Sequence, residues 1–206
     1  MNPASPAIYL ASRSPRRREL LVQIGVTHAV LRLRDAPARG CDVDETPRAG
    51  EAPAPYVERL AREKAAAGWT MLRARGSPVR PVLAADTTVA LAGDIFGKPA
   101  DAADAARMLR RLAGTRHSVF TGIAVQEGDR IVSALSASIV TFRALSDAQI
   151  ARYCASGEPL DKAGAYAVQG RAAAFIERIE GSYSGIMGLP LFETAGLLAR
   201  FGIEVT

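Results

Sequence analysis

Ala7-Ile8-Tyr9-Leu10-Ala11-Ser12-Arg13-Ser14-Pro15-Arg16-Arg17-Arg18 is the stretch on which the fold turns. Residues 7–11 are apolar and short, as in a buried strand. Ser14 suits a helix N-cap and Pro15 the first helical position, where its missing N–H costs nothing. Arginines then fill the first turn, where the helix dipole already disfavours positive charge. Two readings fit. One is an anion, a phosphate above all, held by free N–H groups and arginine forks. The other is a solvated arginine run in an arginine-rich chain. The first unit of the chain is thus a short strand, a polar turn and a helix.

The chain has 206 residues, 49% of them hydrophobic and 6% aromatic, with a formal net charge of +5. That length fits one domain, or two small lobes sharing one core, with a core built from Ala, Leu, Val and Ile. The charge favours anionic ligands without selecting nucleic acid. Basic and acidic residues interleave, with no basic tail and no zinc-finger spacing, so no nucleic-acid partner is expected. The two cysteines, Cys41 and Cys154, lie far apart and read as free thiols of a reducing compartment. No leader pattern and no membrane-length apolar stretch is visible, so the sequence predicts a soluble cytoplasmic protein with no membrane partner.

Onward from strand 7–11, the patterns predict a helix over 15–24 closed by Gly25, a strand over 28–33, and a long irregular loop, mobile or functional, from Arg34 to Pro55. That loop carries Asp44 and Glu45, read either as a solvated acidic patch or as a carboxylate delivered into a cleft. A helix over 54–68 places Lys64 in line with Tyr56 and Leu60. Lys64 then either snorkels from an apolar stripe or reaches a cleft. Residues 70–80 read as a basic connection, and 81–85 as a buried strand ending at Asp86-Thr87-Thr88 before Val89-Ala90-Leu91 resumes it. An aspartate at the end of such a strand is placed for chemistry or for an Asx turn. Asp101 caps a helix over 102–113. Strands follow over 116–125 and 130–142, then a helix from Ser146-Asp147 to about 155. A loop presents Glu158, Asp161 and Lys162. A strand over 173–179 and a helix from Leu189 to Phe201 complete the chain.

The motif inventory excludes several chemistries. Gly-x-Gly-x-x-Gly, Walker A and Gly-x-Ser-x-Gly are absent, and His28 and His117 are the only histidines. What remains is arginine and lysine near carboxylates and the hydroxyls of Ser12, Thr87 and Thr121. That set suits a phosphorylated substrate, carboxylates and a hard divalent ion. Asp86 or Glu45 could place the metal or take a proton from water.

Several segments carry a family resemblance: Leu10-Ala11-Ser12-Arg13-Ser14-Pro15-Arg16-Arg17, Asp44-Glu45, Leu60-Ala61-Arg62-Glu63-Lys64, Ala85-Asp86-Thr87, Gly97-Lys98-Pro99, Asp161-Lys162-Ala163-Gly164-Ala165-Tyr166, Gln169-Gly170 and Gly188-Leu189-Pro190. In this order across nearly the whole chain, they resemble the Maf proteins, nucleoside triphosphate pyrophosphatases once called septum-formation inhibitors. The resemblance implies one α/β domain over 1–206, with a mixed, bent central sheet and two lobes around a cleft, an architecture shared with inosine triphosphate pyrophosphatases.

It also implies hydrolysis of a nucleoside triphosphate to the monophosphate and pyrophosphate, with Mg²⁺ or Mn²⁺, and a homodimer. Asp86 would activate water. Ser12, Arg16, Arg17, Lys64 and Lys98 would hold phosphates, and Glu45 would help place metal or water. Arg16, Thr87 and Gln169 match positions tied to base selection. Asp161 to Tyr166 followed by Gln169-Gly170 resembles the branch acting on dTTP and UTP. The sister branch, acting on 7-methyl-GTP, tends to carry a glutamate before that glycine. Ala172 stands where a glycine is common, and Gly185 where many relatives have asparagine. Alternatives are 7-methyl-GTP hydrolysis or a non-catalytic nucleotide-binding regulator of cell division.

Overall fold

The computed structural model describes residues 6–34 and 42–205; Cys41 lies outside them. The strands among the described residues are β1 (Ile8–Leu10), β2 (His28–Val30), β3 (Val82–Leu91), β4 (Asp94–Phe96), β5 (Arg116–Glu127), β6 (Arg130–Phe142) and β7 (Ile176–Glu180). The helices are α1 (Pro15–Gln23), α2 (Pro53–Ala74), α3 (Ala102–Leu112), α4 (Asp147–Cys154), α5 (Tyr183–Met187) and α6 (Leu191–Ala199). One mixed sheet runs β2-β1-β3-β5-β6-β7, with β4 also paired to β3. Among the described residues, no helix is long and apolar enough to cross a membrane.

Helix α3 follows its sequence closely. Asp101 Oδ1 accepts from the Asp104 N–H at 2.7 Å, and Ala105, Leu109 and Leu112 are buried. Ser146 and Gln149 form a full capping box at the start of α4. In β6, Ser136, Ser138, Val140 and Phe142 are buried while Ala137 is exposed, the alternation of a half-covered antiparallel strand.

Other boundaries move. β3 does not stop at Asp86; it pairs with β5 residue for residue from Val82 to Ala90, so Asp86-Thr87-Thr88 is strand rather than turn. β2 ends at Val30, short of 33. α2 continues to Ala74, beyond 68, because Leu72 extends its buried stripe. The segment 173–179 divides into a 3-10 turn at Arg171–Phe175 and then β7. The predicted final helix is α6, two residues shorter at each end, while the unpredicted short helix α5 precedes it and ends where Gly188 takes a left-handed backbone (φ 117°).

Small residues draw α2 onto the sheet. Ala61 and Ala65 pack against Ala84 and Ala124, and all four are fully buried. At Gly122 the approach is closest, since a Cβ there would stand 2.4 Å from the Val57 carbonyl oxygen. Gly122 pairs with Asp86, so this contact brings α2 across the strand that carries the aspartate. On the other face Leu83, Ala85 and Ile123 pack with Leu10, Leu21 and Leu198. A third cluster joins α3, α4 and the far ends of β3, β5 and β6 around Phe142 and Tyr166.

His117 lies in that cluster, 2% exposed, with Nε2 at 2.9 Å from the Tyr166 hydroxyl and its ring edge-on to Phe142. Burial pushes its pKa down to about 4 from 6.5.

Two outcomes are expected from this packing. Gly122→Ala forces backbone against backbone and should cost about 3 kcal/mol in a urea titration. Because the unfolded chain takes up the His117 proton first, stability should be full above about pH 6.5 and fall by about 3 kcal/mol towards pH 4. Denaturation midpoints across that range should show a slope that His117→Gln flattens.

Candidate active site

The site begins with a gap in the sheet. One edge of β3 is paired along its length by β5, while the other is shared by two short strands. β1 pairs with Val82 and Leu83, and β4 with Val89, Ala90 and Leu91. Between them, among the described residues, no strand pairs with positions 84–88, and a cleft of about 1330 Å³ opens there. Successive residues of a strand face opposite sides. Asp86 therefore emerges on the α2 face and Thr87 on the face of α1 and α5.

On the α2 side, Lys64 Nζ sits 2.6 Å from Asp86 Oδ1 and 2.7 Å from Glu45 Oε1. Lys64 thus reaches the cleft instead of snorkelling. Asp86 is 8% exposed, whereas the Glu45 side chain is 55% exposed at the mouth. Glu45 comes from the irregular loop, and α2 anchors that loop. Tyr56 Oη donates to the Glu45 carbonyl at 2.9 Å. Arg59 makes a fork with Glu51 at 2.6 and 2.7 Å and donates to the Thr46 carbonyl at 3.3 Å. Burial, with the charges of Asp86 and Glu45, pushes the Tyr56 hydroxyl up to about 12, so it stays a neutral donor. The arginine fork holds Glu51 down at about 2. Arg59 and Glu51 carry no mark in the sequence reading, and Tyr56 enters it only in line with Leu60 and Lys64; the Arg59–Glu63 pair at i, i+4 is the available signal.

On the other side, Arg17 crosses the gap. Nη1 donates to the Ala85 carbonyl at 2.8 Å and to Ser12 Oγ at 3.2 Å. Nε donates to the Gly188 carbonyl at 2.7 Å, and Nη2 to Thr87 Oγ1 at 3.2 Å. Four of the five guanidinium hydrogens are thereby used on protein, leaving one on Nη2. Burial lowers the Arg17 pKa from its ordinary value, and Asp86 opposes that. The arginine run is accordingly divided: Arg17 is built into the site, Arg18 is exposed, and Arg16 lines the cleft. Ser14 stands at the N-cap position but its side chain makes no capping bond. Ser12 Oγ instead accepts from the Ser14 N–H at 3.2 Å.

The remaining expected residues line the same cleft: Lys98, Asp161, Lys162 and Gln169, with Ser12, Arg16, Arg17, Glu45, Lys64, Asp86 and Thr87. Lys162 is paired with Asp161. Burial acts to raise the Asp161 pKa, but the Lys162 bond and the charge of Arg16 hold it below its ordinary value. Gln169 and Lys98 are exposed to the cleft. Glu158, read as presented by its loop, turns inward. Its carboxylate accepts from Tyr153 Oη at 2.9 Å and from the Arg171 N–H at 3.1 Å. Gly170 lies against it so closely that a Cβ would stand 2.2 Å from Glu158 Oε1, which explains the glycine after Gln169.

Ala172 is fully buried in the Phe142 cluster rather than facing the cleft. A Cβ at Gly185 would meet Ser136 Oγ at 3.0 Å. Among the described residues no group of three His, Cys, Asp or Glu side chains gathers to hold a metal. Asp86 and Glu45 each use one carboxylate oxygen on Lys64, and among the described residues the other meets no hydrogen-bond donor. Two hard oxygen donors fit a divalent ion that completes its shell with phosphate and water.

The structure of the Staphylococcus aureus Ham1 protein aligns with a TM-score of 0.45 and 20% identity, over 66% of this chain and 71% of that one. A dTTP/UTP pyrophosphatase of Nitrosomonas europaea is 54% identical over 205 residues, covering 100% of this chain and 99% of its own. Proteins of the same description from Aromatoleum aromaticum and Chromobacterium violaceum are 57% and 56% identical, over 98% and 96% of this chain and equal shares of their own. The family model described as Maf-like protein matches residues 7–201, the span that holds every cleft residue described above, and the chain belongs to that family.

Proposed function

We propose that this protein is a cytoplasmic enzyme that hydrolyses nucleoside triphosphates, dTTP and UTP foremost, to the monophosphate and pyrophosphate. The observation that carries the proposal is the buried Asp86, held by Lys64 beside Glu45 and facing a cleft rimmed by Arg16, Lys98 and Lys162. Relatives named dTTP/UTP pyrophosphatase, more than half identical over nearly their whole length, support the same substrate class.

In this reading a water attacks the α-phosphorus. The new bond is from water oxygen to phosphorus, and the bond that breaks joins phosphorus to the bridging oxygen of the leaving pyrophosphate. Asp86, with one oxygen fixed by Lys64, offers the other to the water proton. Lys64 keeps the aspartate oriented, and its charge offsets the two carboxylates. Arg16 and Lys98 meet the non-bridging oxygens, where positive charge matters most for phosphoryl transfer. Ser12 can donate to a phosphate oxygen, because its own oxygen already accepts twice. Asp86 and Glu45 are the residues that would hold a divalent cation, Mg²⁺ or Mn²⁺. Such an ion supplies charge neutralisation on the phosphates.

The first test is pyrophosphate release from dTTP, UTP, CTP, 7-methyl-GTP and ITP. Turnover led by dTTP and UTP is the expected result; turnover led by 7-methyl-GTP would overturn the substrate assignment. Asp86→Asn should retain the wild-type circular dichroism spectrum and lose about 100-fold or more in kcat; near-wild-type turnover would refute the role of Asp86. Chelation with EDTA should abolish release, and added Mg²⁺ or Mn²⁺ should restore it.

A further inference from the structure

The hydroxyls beneath the cleft have a hydrogen-bond direction that their partners dictate. Gly185 offers a carbonyl, which only accepts, so Thr121 Oγ1 at 2.8 Å spends its hydrogen there. Thr121 is 1% exposed, and towards Thr87 Oγ1, 2.9 Å away, it can only accept. Thr87 therefore donates to Thr121. Arg17 Nη2, which only donates, fills one lone pair of Thr87 at 3.2 Å. One lone pair is what Thr87 has left for the cleft. Ser12 is the reverse case: with its oxygen occupied by the Ser14 N–H and Arg17 Nη1, its hydrogen remains. The two hydroxyls that bind the same guanidinium thus face a ligand with opposite polarity. A phosphate oxygen can pair with Ser12 but not with Thr87. Whatever meets Thr87 must bring a hydrogen.

We infer that Thr121 is a specificity-determining positioning residue: by taking the Thr87 proton, it makes Thr87 an obligate acceptor for the imide N–H of uracil or thymine. Cytosine has a bare ring nitrogen at that position, and two lone pairs would then face each other. This rests on the pyrimidine triphosphate reading of the cleft. A site built to pair with an N–H rejects the analogue lacking it, because buried polar groups are left unpaired.

The experiment measures kcat and KM for UTP and CTP, which share their ribose and phosphates. Thr121→Val keeps the side-chain shape and removes the acceptor, so the Thr87 hydroxyl is free to turn its hydrogen towards the ligand. The UTP-to-CTP ratio of kcat/KM should fall about tenfold in Thr121→Val and stay at the wild-type value in Thr121→Ser. A purely structural role would lower both substrates in proportion; an unchanged ratio in Thr121→Val overturns the inference. If Thr121→Val does not fold, the smaller Thr121→Ala, which also removes the acceptor, gives the decision by the same ratio. A wild type that uses UTP and CTP alike also overturns it. A folded wild type that releases pyrophosphate from no pyrimidine triphosphate defeats the proposed reaction itself, and the inference with it.

Discussion

Among the described residues, the outer edge of β3 between Leu83 and Val89 has no neighbouring strand, and the site is organised around that unmet backbone. A buried carbonyl without a partner is costly. Ala11 N–H serves the Leu83 carbonyl at 2.8 Å, and the next outward carbonyl, that of Ala85, is served by Arg17 at 2.8 Å. The guanidinium stands in for the missing strand. The same side chain ties in Gly188, and so fixes the end of α5 against β3. One arginine thereby closes the sheet, sets the cleft wall and orders the hydroxyls of Ser12 and Thr87.

Electrostatics on the opposite face follow from the same strand. Asp86 is nearly buried, and a buried carboxylate needs a countercharge. Lys64 supplies it as a compact ammonium that can bind two carboxylates at once. The second carboxylate, Glu45, sits on a segment with no regular structure and depends on Tyr56 and Arg59 for its place. Both anchors rise from α2, as does Lys64, and α2 is held to the sheet by its close approach to Gly122. Packing in the core and geometry at the carboxylates are therefore one problem. Further cations at Arg16 and Lys98 leave the cleft suited to a polyanion.

Much of this was legible from local pattern. The face of α3, the caps at Asp101 and Ser146 and the alternation in β6 are set by contacts within a turn or a strand pair. The residues that the family resemblance implied for the site, from Ser12 to Gln169, line the same cleft. The continuity of β3 through Asp86 was not legible. Asp-Thr-Thr reads locally as a turn, and only the unbroken ladder to β5 makes it strand. Glu158 read as exposed for a related reason, since its partners Tyr153 and Arg171 are supplied by a different turn and helix.

By itself the sequence determined most of the elements, and its motifs, through the family they resemble, pointed to the α/β class and to the cations and carboxylates that line the cleft. Tertiary structure decided which cations do which work. Lys64 and Arg17 were each compatible with a solvated role, and their partners lie far along the chain: Arg17 meets the Gly188 carbonyl across 171 positions. Periodicity and capping act over a few residues and leave a mark in the sequence. The direction in which a hydroxyl or guanidinium spends its hydrogens depends on acceptors brought beside it only when the strands pair, and no local pattern records that choice.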